Sequence, residues 1–190
     1  MEDSNGDLEK NIGSSLKALR IARAMTLDQL ASASGVSRAM ISKIERGEAS
    51  PTAVLLARLL TPLDETLSGF FSNTNETLRP LSRRSEQPVW RDPETGYVRR
   101  AVSPRGHPIN VDLVEVDLPA GARVALPPMQ FNPPQMQYVW LLEGALSMEC
   151  DGASHDLNIG DCLFMGLESG ITFHNRSSQP CRYAVVLKKG

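Results

Sequence analysis

Ser37, Arg38, Ala39, Ser42, Lys43 and Arg46 are the residues of this 190-residue chain whose types and spacing could do chemistry. On a helix of about 100° per residue with Arg38 at zero, Ser42, Arg46, Ala39 and Lys43 spread over roughly 40° to 140°. Ile41 and Ile44 fall near 300° and 240° on the same wheel, at about the opposite side. One face is therefore small, hydroxylic and cationic, and the other is apolar. Such a face can donate to phosphate oxygens and base edges, and its short side chains let a helix enter the major groove of DNA. Glu45 lies at the apolar edge, at about 340°. Burial there demands a partner for its charge.

Other titratable groups offer less. A metal site needs several N, O or S donors converging on one point. His107 sits in a PRGHP loop and His155 follows a hairpin turn, so both are expected at the surface. His174 is opposite in strand parity to Ile171 and Phe173 and is expected to point away from the interior they line. Glu115, Asp117, Glu143 and Asp161 fall on strand faces or turns and suggest no acid–base pair. No metal, no cofactor and no catalytic residue is expected.

The elements that must position the polar face are legible in the surrounding pattern. In TLDQLASASGVSRAMISKIERG, residues 26–47, Thr26 and Gln29 have the spacing of a capping box. Leu27, Leu30 and Ala31 give the following helix an apolar side. Gly35 supplies the left-handed residue of a tight turn, and Ser37 caps the second helix. A preceding helix is expected over residues 11–24, with Ile12, Leu16 and Leu19 inward, after a disordered N-terminus at residues 1–10. Pro51 suits the first turn of a fourth helix reaching about Leu60. A short fifth helix follows over residues 64–71. Leu55, Leu59, Leu63, Leu67 and Phe70 are expected to close this core. Residues 72–88, SNTNETLRPLSRRSEQP, have no amphipathic period and read as a linker, in which Arg79, Arg83 and Arg84 are solvated.

Over residues 89–190 the pattern changes to short strands. VDLVEVDL alternates with period two and ends at Pro119-Ala120-Gly121. YVWLLEGALSMEC is broken at Glu143-Gly144, and Asp151-Gly152 makes a two-residue hairpin turn. Gly160-Asp161 turns the chain again before CLFMG, ITFHN and CRYAVVLK. Short strands at this spacing form a β-barrel or sandwich. Met129, Phe131, Met136, Gln137, Val139, Leu141 and Phe173 are candidates for its lining. They either fill the barrel or admit a small organic effector oriented by Gln137 or Gln130.

The net charge of −2 hides an uneven distribution. Between residues 10 and 60, eight Lys and Arg face three Asp and Glu. A basic half on an acidic chain fits a nucleic-acid reader with a second module. Three cysteines at no metal-like spacing suggest reduced thiols. No apolar run approaches the roughly 18 residues of a membrane span, and residues 1–10 do not read as a signal peptide. A soluble cytoplasmic protein without membrane contact is expected.

SGVSRAMISKIERGEASPTAVLLARLL resembles the helix-turn-helix domain of the lambda-repressor-like (XRE) transcription regulators, over residues 12–71. The resemblance implies that Glu45 pairs with Arg20, late in the first helix. Leu27 departs from it, standing where many members carry a DNA-contacting glutamine. LLEGALSMECDGASHDLNIGDCLFM resembles the cupin family, over residues 107–187. The metal ligands of that family fall here on Pro127, Met129, Gln137 and Ile171, a set that holds no metal. The implied fold is a two-domain α + β chain. A five-helix DNA-binding domain at residues 11–71 precedes an all-β cupin (double-stranded β-helix) barrel at 89–190.

The implied function is a sequence-specific transcriptional repressor, a homodimer on a near-palindromic double-stranded DNA operator. Its metal-free cupin domain would bind a small-molecule effector. Ser37 would position the helix on phosphate, Arg38 would read base edges, Ala39, Ser42 and Lys43 would complete the groove surface, Arg46 would anchor to the backbone, and Thr26 is a further DNA-binding candidate. Two alternatives remain at this stage: a barrel that serves only dimerisation, and a metal-independent isomerase or lyase joined to a DNA-binding arm.

Overall fold

The computed structural model describes residues 3–72, 80–104 and 109–188. Arg79, His107 and residues 73–79 of the expected linker lie outside them. The chain divides into two compact units, Met1–Leu67 and Ser68–Gly190.

The first unit is helical. Its helices are α1 (Asp3–Ala22), α2 (Leu27–Ser34), α3 (Arg38–Glu45) and α4 (Ala53–Leu60), followed by a 3-10 turn at Thr61–Leu63. α5 (Leu67–Ser72) begins at the end of this unit and runs into the second. α1 starts well before residue 11, so part of the segment expected to be disordered is helical. α4 also begins differently from expectation. Thr52, not Pro51, marks its start, its hydroxyl accepting from the Leu55 amide at 3.2 Å. The inner face of α4 accordingly carries Ala53, Leu56, Leu59 and Leu60, while Leu55 is half-buried. Ile12, Leu16, Leu30, Val36, Ile41, Ile44 and Leu63 complete the core. Phe70, expected in that core, belongs to the second unit. There it meets Phe71 edge to face, and Phe71 stacks on Trp90 at 5.4 Å.

The second unit holds ten antiparallel strands: β1 (Val89–Arg91), β2 (Val98–Ala101), β3 (Val111–Leu118), β4 (Arg123–Leu126), β5 (Met136–Glu143), β6 (Leu146–Cys150), β7 (Ala153–Leu157), β8 (Cys162–Gly166), β9 (Ile171–His174) and β10 (Cys181–Lys188). They form a six-stranded sheet of order β1-β2-β3-β10-β5-β8 and a four-stranded sheet of order β4-β9-β6-β7. The eight strands from β3 onward cross between the sheets in the order of a double-sheet jelly roll, the architecture of cupins. β1 and β2 extend the larger sheet. Asp151 and Gly152, both at positive φ (51° and 75°), turn β6 into β7 as a two-residue hairpin requires. Gly144, at φ 82°, turns β5 into β6 where a Cβ would lie 2.9 Å from that of Cys181. Alternation sends Val114, Val116 and Leu118 inward from β3, and Tyr183, Val185 and Leu187 inward from β10. Phe173 of β9 stacks on Tyr183 of β10 at 5.5 Å and so joins the two sheets.

Candidate nucleic-acid interface

α3 is positioned by a close backbone crossing and an ion pair. Gly13 of α1 lies against its last turn, where an added Cβ would sit 2.3 Å from the Ile44 carbonyl oxygen. Only glycine allows that approach. Gly13 is not among the expected site residues, although a glycine inside an amphipathic helix signals close packing. Seven residues on, Arg20 donates through Nε to Glu45 Oε1 at 2.6 Å and through Nη2 to Oε2 at 2.8 Å. Its Nη1 reaches the Met25 carbonyl at 2.7 Å, across the start of α2. The side chains are 11% and 6% exposed, so little water screens the pair. The hydrogen bonds to Glu45 raise the Arg20 pKa above its ordinary value, against the opposing effect of burial. Arg20 thus fixes one end of α3 relative to both α1 and the α1–α2 turn.

The other end of α3 is set by turn and caps. Thr26 and Gln29 make both bonds of the capping box, at 2.8 and 3.2 Å. Gly35 takes the left-handed conformation at φ 65°. Ser37 caps α3 by accepting from the Met40 amide at 3.3 Å. Arg58 of α4, counted in the sequence only as a charge, clamps the turn by donating to the Ser34 and Gly35 carbonyls at 3.2 and 2.7 Å.

This framework leaves Ser37, Arg38, Ala39, Lys43 and Arg46 exposed, with Ser42 half-buried. Met40, also exposed, adds an apolar group that the sequence reading did not count. Two of the cations are engaged within the chain. Arg38 lies 3.1 Å from Asp28 in a pair that is mostly solvated on both sides, and so is worth little. Arg46 makes two bonds to Glu48, at 2.6 and 2.7 Å, and a third to the Ser42 hydroxyl. Arg46 holds the Glu48 carboxyl below its ordinary range by hydrogen bonding, and the Arg46 pKa is raised in return. Lys43 makes no salt bridge among the described residues. The arrangement is a short cationic helix on a rigid support, with one arginine partly neutralised by a neighbour. It can bind polyanions through exchangeable surface contacts.

In the barrel, Gln137, Val139 and Leu141 share the inner face of β5, and Phe173 faces in from β9. Met129 and Phe131, between β4 and β5, are also buried. Gln137 is 7% exposed, and its side chain makes no hydrogen bond among the described residues. Met136 is half-buried at the start of β5. A cavity of about 480 Å³ spans one end of the small sheet, lined by Leu126, Glu149, Ser154 and Ile171 among others, and includes none of the candidate lining residues. Two histidines are placed. His174 accepts from Arg176 at 3.3 Å, opposite in parity to Phe173. His155, expected at the surface, is half-buried on β7, paired with the inward Met148. Among the described residues, no three His, Cys, Asp or Glu side chains are grouped to hold a metal, and no helix is long and apolar enough to cross a membrane.

A helix-turn-helix family model (HTH_3) matches residues 16–70, from α1 to α5. The HTH-type transcriptional regulator SutR of Escherichia coli (strain K12) is 26% identical over 178 residues, 93% of this chain and 94% of its own length. The uncharacterized HTH-type transcriptional regulator y4dJ of Sinorhizobium fredii is 32% identical over 74 residues, covering 33% of this chain and 96% of that protein. Among solved structures, an HTH_3 family transcriptional regulator from Vibrio cholerae shares the fold, with a TM-score of 0.79, 23% identity, and 98% and 99% of the two chains covered.

Proposed function

The chain belongs to the XRE-type helix-turn-helix transcriptional regulators and carries a cupin barrel after its DNA-binding unit, and from that premise we propose that it is a cytoplasmic, effector-responsive repressor acting as a homodimer. α3 enters a major groove of the operator, and a second copy reads the next groove about 34 Å away, so the operator is near-palindromic. Ser37 and Thr26 meet phosphate at the helix ends they cap, Arg38 exchanges Asp28 for base edges, and Ala39, Ser42 and Lys43 complete the groove surface. Arg46 anchors to the backbone. The observation that carries this reading is the exposed cationic face of α3, held from behind by the buried Arg20–Glu45 pair.

The barrel is read as the sensor, with no catalysis, metal or cofactor assigned to it. Met129, Phe131, Val139, Leu141 and Phe173 form the apolar wall, and Gln137 offers a small organic effector the hydrogen bonds it lacks within the chain. The effector shifts the operator-binding equilibrium only by as much as it prefers one conformation of the dimer.

Binding sites recovered by selection from random duplexes, followed by fluorescence anisotropy, test the DNA reading. Arg38→Ala should cost about 1–3 kcal/mol on the selected site and less on random DNA. Equal losses on both would make Arg38 a phosphate contact. Thermal scanning against a metabolite library tests the sensor, because a ligand of the folded state raises its melting temperature. A library with no hit would leave the barrel with the dimerisation role alone.

A further inference from the structure

The outer face of the six-stranded sheet carries exposed aromatic side chains that neither DNA reading nor effector sensing uses. Strand register puts Leu113 of β3, Val186 of β10, Tyr138 of β5 and Phe164 of β8 in one row across four strands. The next row brings Ala184, Trp140 and Cys162 alongside. Tyr138, Trp140 and Phe164 are 50%, 49% and 54% exposed, and Leu113 is 37% exposed. The Tyr138 and Phe164 rings lie 5.0 Å apart. This exposure is local, since Trp90, Tyr97, Phe131, Phe173 and Tyr183 of the same unit are all buried. Beyond Trp140 the face becomes charged with both signs: Arg182 lies 2.8 Å from Asp117 and 3.4 Å from Glu143. An aromatic centre with a charged rim is the anatomy of a protein interface.

We propose that this face is covered by the same face of a second copy of the chain, forming a two-fold dimer around Tyr138, Trp140 and Phe164. The proposal rests on the dimeric reading above and names the surface that makes it. A two-fold contact requires a patch complementary to itself. An aromatic row bordered by arginine and carboxylates meets that requirement, because the rim of each copy can pair with the other. Each chain also presents one α3, and reading two successive grooves requires two. Half-exposed aromatics of about 200 Å² each, with Leu113 and Val186, give roughly 400 Å² of apolar centre per copy. That is about half of the roughly 800 Å² per partner in a stable interface, leaving the remainder to the polar rim.

The test uses the full chain and two readouts. In sedimentation equilibrium, the wild type should dimerise, and the triple variant Y138T/W140T/F164T should dissociate with a constant raised about a hundredfold, as loss of interface aromatics does. Cys162, exposed and beside Trp140, gives the second readout. Its alkylation by N-ethylmaleimide should slow by about tenfold as wild-type protein is concentrated into dimer, and stay fast in the variant, because access governs thiol reactivity. Cys150 and Cys181 are buried and report on folding. If they become reactive, the triple variant has unfolded, and the wild-type Cys162 result decides alone. A wild-type dimer whose Cys162 reacts at the monomer rate, with an equally dimeric variant, overturns this face and leaves the dimeric reading intact. A wild type that stays monomeric on and off the operator overturns both.

Discussion

The helical unit and the barrel each hold a buried polar hub that joins separate chain segments, and these two hubs do different work. In the helical unit Arg20 joins Glu45 and the Met25 carbonyl, so a charged pair sets the angle of a helix whose far side is exposed. In the barrel the hub is neutral. Asn175, fully buried after β9, donates to the carbonyls of Leu118, Pro119 and Gln179 at 3.1, 3.1 and 2.8 Å, and accepts from Ser177. It fastens the β3–β4 turn to the β9–β10 turn, more than fifty residues away. A charge is tolerated where a counter-charge packs against it and a surface must be aimed. A crossing of distant chain segments is held instead by an amide that serves donors and acceptors at once.

Arg20→Ala should have the largest effect, because it leaves Glu45 in the core without a counter-charge. The helical unit should lose about 3–5 kcal/mol, as buried pairs broken on one side do. For a unit of this size that lowers its melting transition by more than roughly 12 °C, while the barrel transition stays in place. Calorimetry separates the two. A barrel transition that falls by the same amount would break the distinction between the hubs, and an unchanged helical transition would refute the buried pair. Asn175→Ala should do the reverse, lowering the barrel transition by about 2–3 kcal/mol as buried carbonyls lose their donor. An effect below about 1 kcal/mol would mean that water replaces the amide there.

What the sequence revealed follows the same division. Arg20 and Glu45 were legible because a helical wheel puts Glu45 at the edge of an apolar face, and family resemblance supplied its partner. Thr26, Gly35 and Ser37 were legible because caps and turns are decided within four residues. Gly13 was not, because its necessity arises from where α1 crosses α3. Arg58 was missed for a similar reason, its acceptors being backbone carbonyls more than twenty residues away. In the barrel, Gln137, Val139 and Leu141 alternate inward along β5, a pattern of period two that is local to one strand. His155 was misplaced because β7 starts immediately after Gly152, which gives that residue the parity of Met148. The exposed row of Leu113, Tyr138 and Phe164 comes from strands distant in sequence, so no local pattern could display it.

The smallest predicted effect concerns Glu48, which tempers the surface that Arg20 aims. Its two bonds to Arg46 hold a cation away from any phosphate, and its lowered pKa keeps it ionised throughout the neutral range. A carboxylate whose pKa is depressed by folding contributes to stability above its unfolded pKa, and loses that contribution as pH falls through the folded value. Near neutral pH the brake is therefore constant, and only mutation releases it. Glu48→Gln should raise operator affinity a few-fold and steepen the dependence of log K on log salt by about one phosphate's worth, near 0.9. Both gains should vanish in the Glu48→Gln/Arg46→Ala double variant, because they act through the freed guanidinium. If Glu48→Gln changes neither affinity nor salt slope, Arg46 does not face the DNA backbone, and the cationic surface of α3 reduces to Arg38 and Lys43.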